Sequence, residues 1–102
     1  MTYGLTLHEL EIILEILQKY PQIEKAILFG SRAMRKEKKG SDVDIALKGS
    51  KLTETIFEVS RELNEESPLP YYFDIIDYDS IESTDLKSHI DRVGREIYER
   101  KI

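Results

Sequence analysis

A glycine–serine pair and two closely spaced aspartates are the residues of this sequence best suited to chemistry. The stretch ILFGSRAMRKEKKGSDVDIALK runs from an apolar segment, Ile27, Leu28 and Phe29, into Gly30-Ser31. Ten residues follow, and Asp42-Val43-Asp44 then heads a second apolar run. Alternate residues of a strand share a face, so Asp42 and Asp44 present two carboxylates side by side. Such a pair repels itself unless a cation stands between its members. Gly30 admits close backbone approach by a phosphate, and Ser31 opens a short helix, to about Lys36, whose free N–H groups attract anions. Arg32 has the fork geometry to clamp a phosphate. Together these residues point to magnesium-dependent chemistry on a nucleoside triphosphate.

Each of these residues also has a plainer explanation. Asp-x-Asp occurs by chance at strand edges, where both side chains face water, but aspartate is disfavoured in strands. Two on one face beside apolar residues, with Gly-Ser upstream, favour the metal role. Gly30-Ser31 is equally a strand-to-helix turn with Ser31 as N-cap, which is compatible with a phosphate site. For Arg32 the plain alternative is a solvated side chain, and this is the favoured reading of Arg35, Lys36, Lys38 and Lys39. An EF-hand is a poor fit, because Ala46 and Lys48 stand where calcium ligands belong and no glutamate closes the loop. A Walker-type loop is absent, since no Gly-Lys-Ser/Thr follows at the required spacing.

Asp74 is the candidate third carboxylate. It stands within Tyr72-Phe73-Asp74-Ile75-Ile76, where a buried, unpaired carboxylate would be expensive and would call for a cation or a hydrogen-bond partner. Asp77 competes with it, but falls on the opposite face at the strand end, where capping explains it better. His8 and His89 read as surface residues on or near helices, far apart and without ligand spacing. Tyr71 and Tyr72 read as strand packing for at least one of them, or as exposed stickers for a partner.

The elements that must position these residues follow from hydrophobic period. Thr6 and Glu9 have the form of a capping box for a helix over 7–19, with Leu7, Leu10, Leu14 and Leu17 on its apolar face and Pro21 as its stop. Strands are predicted over 23–29, 42–48 and Tyr71 to Tyr78. Leu52, Ile56, Val59 and Leu63 mark a second helix, capped near Lys51 to Thr53. Leu86, Ile90, Val93 and Ile97 mark a C-terminal helix in which Gly94 costs about 1 kcal/mol against alanine. The sum is one α/β domain over residues 1–102, with a small sheet of three to four strands and about four helices.

Composition narrows the partners. The 102 residues are 40% hydrophobic and 34% charged, as in an ordinary globular domain, with room for a core but not for a second substrate-binding module. No apolar run approaches membrane-helix length, and Met1-Thr2-Tyr3-Gly4 lacks the features of a secretory signal. There is no cysteine, so no disulfide or thiolate metal site is available. A cytoplasmic location is expected. The net charge of -5 argues against bulk nucleic-acid binding. The basic cluster from Arg32 to Lys39 suits a small polyanion instead.

Gly30-Ser31, ten residues, Asp42-x-Asp44 and a later Asp74 resemble the pattern of the DNA polymerase β superfamily of nucleotidyltransferases. The wording LFGSRA…GSDVDIAL, with Gly94-x-x-Ile97-Tyr98 near the end, is most similar to the minimal nucleotidyltransferases (MNT), which pair with HEPN-domain proteins. The resemblance covers nearly the whole chain. It implies the nucleotidyltransferase fold with a small mixed sheet. It also implies two Mg2+ ions held by Asp42 and Asp44, with Asp74 completing the acceptor-side site. Gly30, Ser31 and Arg32 would hold the phosphates of ATP or another nucleoside triphosphate. The reaction implied is transfer of AMP to a hydroxyl of a HEPN toxin, which makes the chain an antitoxin in a hetero- or homo-oligomer. A non-catalytic antitoxin that masks its partner is the alternative. Met34-Arg35-Lys36 departs from the small or glycine-containing continuation common after Gly-Ser-Arg.

Overall fold

The computed structural model describes residues 3–101. The chain begins with α1 (Leu7–Gln18), whose capping box is complete: the Thr6 N–H donates to Glu9 Oε1 at 2.8 Å and the Glu9 N–H to Thr6 Oγ1 at 3.0 Å. Of the predicted leucine face, Leu17 is buried and Leu14 packs against the core, while Leu7 is 65% exposed; Ile13 and Ile16 complete the inward face. They give the helix a second apolar row, and that row meets the sheet.

Four strands follow: β1 (Ile23–Phe29), β2 (Val43–Gly49), β3 (Phe73–Asp77) and β4 (Arg95–Glu99). They lie in the order β3-β2-β1-β4, antiparallel except for the parallel β2–β3 pair. That parallel pair is bridged by α2 (Leu52–Arg61) and a π-turn over Glu62–Glu66, as a parallel connection requires. Helix α2 enters through Lys51 at φ 55° with no side-chain cap. The Asn64 amide then accepts the Phe73 N–H at 2.7 Å and donates to the Phe73 carbonyl at 2.9 Å, fixing the start of β3.

The sheet has two unequal cores. Val43, Ile45 and Leu47 of β2 point with Ala26, Leu28 and Phe73 toward α1 and α2 and form the larger one. The opposite face carries Phe29 and Ala46 under Ile90 of α3 (Thr84–Val93), with Ile27, Ile76 and Leu86 around them. Asp44, one residue from Val43 and Ile45, lies on this second face.

The C-terminal helix of the sequence reading is two elements. Helix α3 stops at Gly94, whose backbone is extended (φ -60°, ψ 149°), and residues 95–99 pair antiparallel with β1. A Cβ at Gly94 would come within 2.4 Å of the Ile90 carbonyl and 2.6 Å of the Ile27 side chain. The glycine therefore lets the chain turn tightly off the helix and against the sheet.

Candidate active site

Three carboxylates gather where β2 begins. Asp44 pairs with Phe29 of β1 on one side and with Asp74 of β3 on the other. Residues in register on neighbouring strands point to the same face about 4.8 Å apart, so Asp44 and Asp74 are adjacent by construction. Asp42 lies just before the strand, two residues from Asp44 and on its side by alternation. Asp44 is half-buried, while Asp42 and Asp74 are exposed. Burial pushes the Asp44 carboxyl above its ordinary range, and the charges of Asp74 and Asp42 push it further; the Arg32 charge pulls the other way. Asp74 is thus not the buried strand carboxylate of the sequence reading, because β3 is an edge strand and leaves it open to solvent. Asp77 is elsewhere: its carboxylate accepts the Asp79 N–H at 3.1 Å and the Ser80 hydroxyl at 3.0 Å, capping a 3-10 turn.

Gly30 closes the site from the β1 side. Its φ is 76°, and a Cβ there would fall 2.3 Å from Asp44 Oδ2, so neither the backbone nor the space admits a side chain. The segment after it is a closed turn, not the predicted short helix. The N–H groups of Met34 and Lys36 donate to the carbonyls of Gly30 (3.2 Å) and Ser31 (2.8 Å), and Arg35 ends the turn at φ 60°. Among the described residues no protein acceptor takes the N–H groups of Ser31, Arg32 and Ala33.

Arg32 is buried, and its guanidinium is committed within the protein. Nε and Nη2 donate to the Ser41 carbonyl at 3.3 and 2.8 Å, Nε also to the Asp42 carbonyl at 3.3 Å, and Nη1 to the Tyr3 carbonyl at 3.0 Å. The group also stacks 4.7 Å above the Tyr71 ring, whose hydroxyl donates to Glu9. This burial rules out the solvated alternative, and the contacts make Arg32 a strut that anchors the chain entering Asp42. Lys38 and Lys39 line the same hollow as Arg32, and none of Arg35, Lys36, Lys38 and Lys39 has an ion-pair partner among the described residues.

His89 joins the site although the sequence reading left it at the surface. From α3 its Nε2 accepts the Gly30 N–H at 3.2 Å, and its ring stands edge-on to Phe29 with centroids 6.2 Å apart. The available signal was its position beside Leu86 and Ile90 in the inward stripe of α3. His8 is exposed.

Among the described residues no three acidic or imidazole side chains form a ready-made metal cluster. The donor set nevertheless fits a hard divalent cation. All three groups are carboxylates, two are locked in register, and their mutual repulsion is already felt at Asp44. Asp42, Asp44 and Asp74 are the residues that could hold one.

The family model described as Polymerase beta, Nucleotidyltransferase matches residues 11–102. The chain belongs to the polymerase β nucleotidyltransferase family. Two solved structures share this nucleotidyltransferase fold at low identity. A toxin–antitoxin crystal structure with AMP-PNP is 24% identical at a TM-score of 0.74, covering 90% of this chain and 74% of its own. A complex of tri-AMPylated Shewanella oneidensis HEPN toxin with MNT antitoxin is 23% identical at a TM-score of 0.66, covering 89% and 70%. No curated protein matches the sequence. No helix among the described residues is long and apolar enough to cross a membrane.

Proposed function

We propose that this nucleotidyltransferase is a magnesium-dependent enzyme that transfers AMP from ATP to a hydroxyl of a HEPN-type toxin and so acts as its antitoxin. The register of Asp44 with Asp74, beside the Gly30 turn, is the observation that carries the reading. One wall of the site offers carboxylates for a cation, and the other offers the N–H groups of Ser31 to Ala33 and the Ser31 hydroxyl to the triphosphate tail. The related complexes, one with AMP-PNP and one with a tri-AMPylated HEPN toxin, support the choice of nucleotide and acceptor.

In this reading Asp42, Asp44 and Asp74 hold Mg2+, which when bound neutralises phosphate charge and assists the attacking and leaving oxygens. The acceptor oxygen bonds to the α-phosphorus as its proton passes to the Asp74 carboxylate and on to solvent. The bond to the β-phosphate bridging oxygen breaks, and pyrophosphate leaves. The Ser31–Ala33 turn positions the departing phosphates, and exposed Asp74 faces the incoming hydroxyl from the sheet edge. A cytoplasmic setting accompanies this function.

Label transfer from α-labelled ATP with Mg2+ to a co-purified HEPN-type partner tests it. Label on the partner that disappears with Asp42→Ala plus Asp44→Ala is the expected result. A stable complex without label, for any nucleotide, overturns the enzyme and leaves an antitoxin that masks its partner.

A further inference from the structure

Two of the largest exposed apolar side chains share one groove at the open edge of the sheet. Phe57 is 71% exposed on α2 and Tyr72 is 60% exposed just before β3. They line a groove whose floor is Ser60, Arg61 and Asn64 and whose nearer fringe includes Glu65. The groove continues along α2 past Phe57 to Glu54 and Glu58. Aromatic side chains left in water on a rigid helix and strand are the composition of a protein-binding hot spot.

The groove ends at Tyr72, close along the backbone to the carboxylates. The Tyr72 carbonyl accepts the Val43 N–H at 2.9 Å, between Asp42 and Asp44 in sequence, and Asp74 is two residues beyond Tyr72. An extended chain covers those two residues in about 7 Å. The groove opens on the α2 side and Asp74 faces the other side of the sheet, so a molecule seated on Phe57 and Tyr72 reaches Asp74 by wrapping round the open edge of β3.

We infer that this groove docks the acceptor protein through a basic segment that sets an apolar side chain between Phe57 and Tyr72 and brings its hydroxyl to Asp74. The charge of the groove selects this occupant. Glu54, Glu58 and Glu65 face it, and Arg61 is engaged by Glu66. An acidic fringe repels a nucleic-acid acceptor, and it repels a second copy of a chain whose own net charge is -5. It attracts a cationic protein surface, which gains register and encounter rate from the glutamates and affinity from the aromatics.

The inference rests on the proposed transfer to a partner protein, so the test separates the two. Phe57→Ala plus Tyr72→Ala, and separately Glu54→Lys, Glu58→Lys and Glu65→Lys together, are compared with Leu7→Ala, an exposed apolar control on another face. Melting curves establish that each variant folds. Direct titration of the purified HEPN-type partner should show complex affinity falling at least tenfold in both groove variants and unchanged in Leu7→Ala. Raising salt should weaken the wild-type complex and leave the lysine variant's weaker complex flat or strengthened. AMP-PNP binding by the free chain should be the same in all. In the transfer assay the KM for the partner rises and that for ATP does not. Partner affinity within twofold of wild type in both groove variants overturns the surface, even if transfer is intact. A self-association of the free chain that is lost in Phe57→Ala plus Tyr72→Ala assigns the groove to a second copy and also overturns it. Weakened partner binding where the wild type transfers no label retains the surface and removes only the chemistry.

Discussion

The imidazole of His89 accepts the N–H of Gly30 at 3.2 Å and so ties the last helix to the turn that follows β1. An imidazole that accepts at Nε2 carries its proton on Nδ1. The Gly30 amide is thereby occupied, and among the described residues the N–H groups of Ser31, Arg32 and Ala33 are the ones left for the proposed phosphate site. In the proposed reaction this contact casts His89 as a positioning residue for the turn that carries those amides.

Replacing His89 should act on nucleotide binding more than on chemistry. Loss of a single hydrogen bond of about 1 kcal/mol corresponds to roughly five-fold weaker binding. We expect His89→Ala to raise the KM for ATP and the Kd for AMP-PNP about that much or more, with kcat nearly unchanged. His89→Gln keeps an acceptor at similar reach and should recover most of the loss. Equal behaviour of the two variants, or a fall in melting temperature with no change in KM, would leave His89 with a packing role only.

Asp44 trades stability for function. Its folded-state pKa lies above the ordinary carboxylate value because of burial and its two acidic neighbours. The folded protein therefore holds that proton more tightly than the unfolded chain, and stability falls as pH rises from the ordinary carboxylate range through the raised value. Asp44→Asn should abolish transfer yet raise the melting temperature by a few degrees at neutral pH, with the gain fading in acid. For a domain of this size about 1 kcal/mol moves the midpoint by roughly 4–8 °C. Mg2+ should stabilise the wild type by mass action and leave the melting curve of the Asp44→Asn variant unmoved. A lower melting temperature for the variant at pH 7 would contradict this account of the site.

Arg32 offers a sharp choice between strut and clamp. Its donors serve the carbonyls of Tyr3, Ser41 and Asp42, and removing a buried charged donor from partly buried acceptors costs about 1–3 kcal/mol. Arg32→Ala should lower the chemical-denaturation midpoint accordingly, and Arg32→Lys should recover little because one ammonium cannot span three carbonyls. A clamp would instead show normal stability with a raised KM for ATP.

What was legible in the sequence was local. Thr6 and Glu9 announce a capping box because both partners lie within one turn. Asp42 and Asp44 announce a shared face because alternation fixes which side of a strand each takes, whereas only the β2–β3 register brings Asp74 to it. Strand β4 was not legible: Ile97 extends the helical period of Ile90 and Val93, and only pairing with β1, far earlier in the chain, makes residues 95–99 a strand. The contacts of His89 and Arg32 were illegible for the same reason. Their partners, the Gly30 amide and the Tyr3 and Ser41 carbonyls, are distant in sequence and meet them only when α3 crosses the sheet and the chain returns to β2.

Gly30 and Asp44 should prove coupled when mutated together. Alanine at Gly30 meets two obstacles: a φ of 76°, which costs about 1–2 kcal/mol for a residue with a Cβ, and a methyl group 2.3 Å from Asp44 Oδ2. Asp44→Ala removes the second and leaves the first. Gly30→Ala alone should therefore destabilise by more than the backbone cost, and in the Asp44→Ala background by the backbone cost only. The double-mutant cycle should give a coupling energy of at least about 0.5–1 kcal/mol, the excess lost when the carboxylate goes. Denaturant unfolding of the four proteins measures it. Additive losses would mean that the turn moves off Asp44 without penalty, and the close contact would then no longer explain why glycine stands beside the carboxylates.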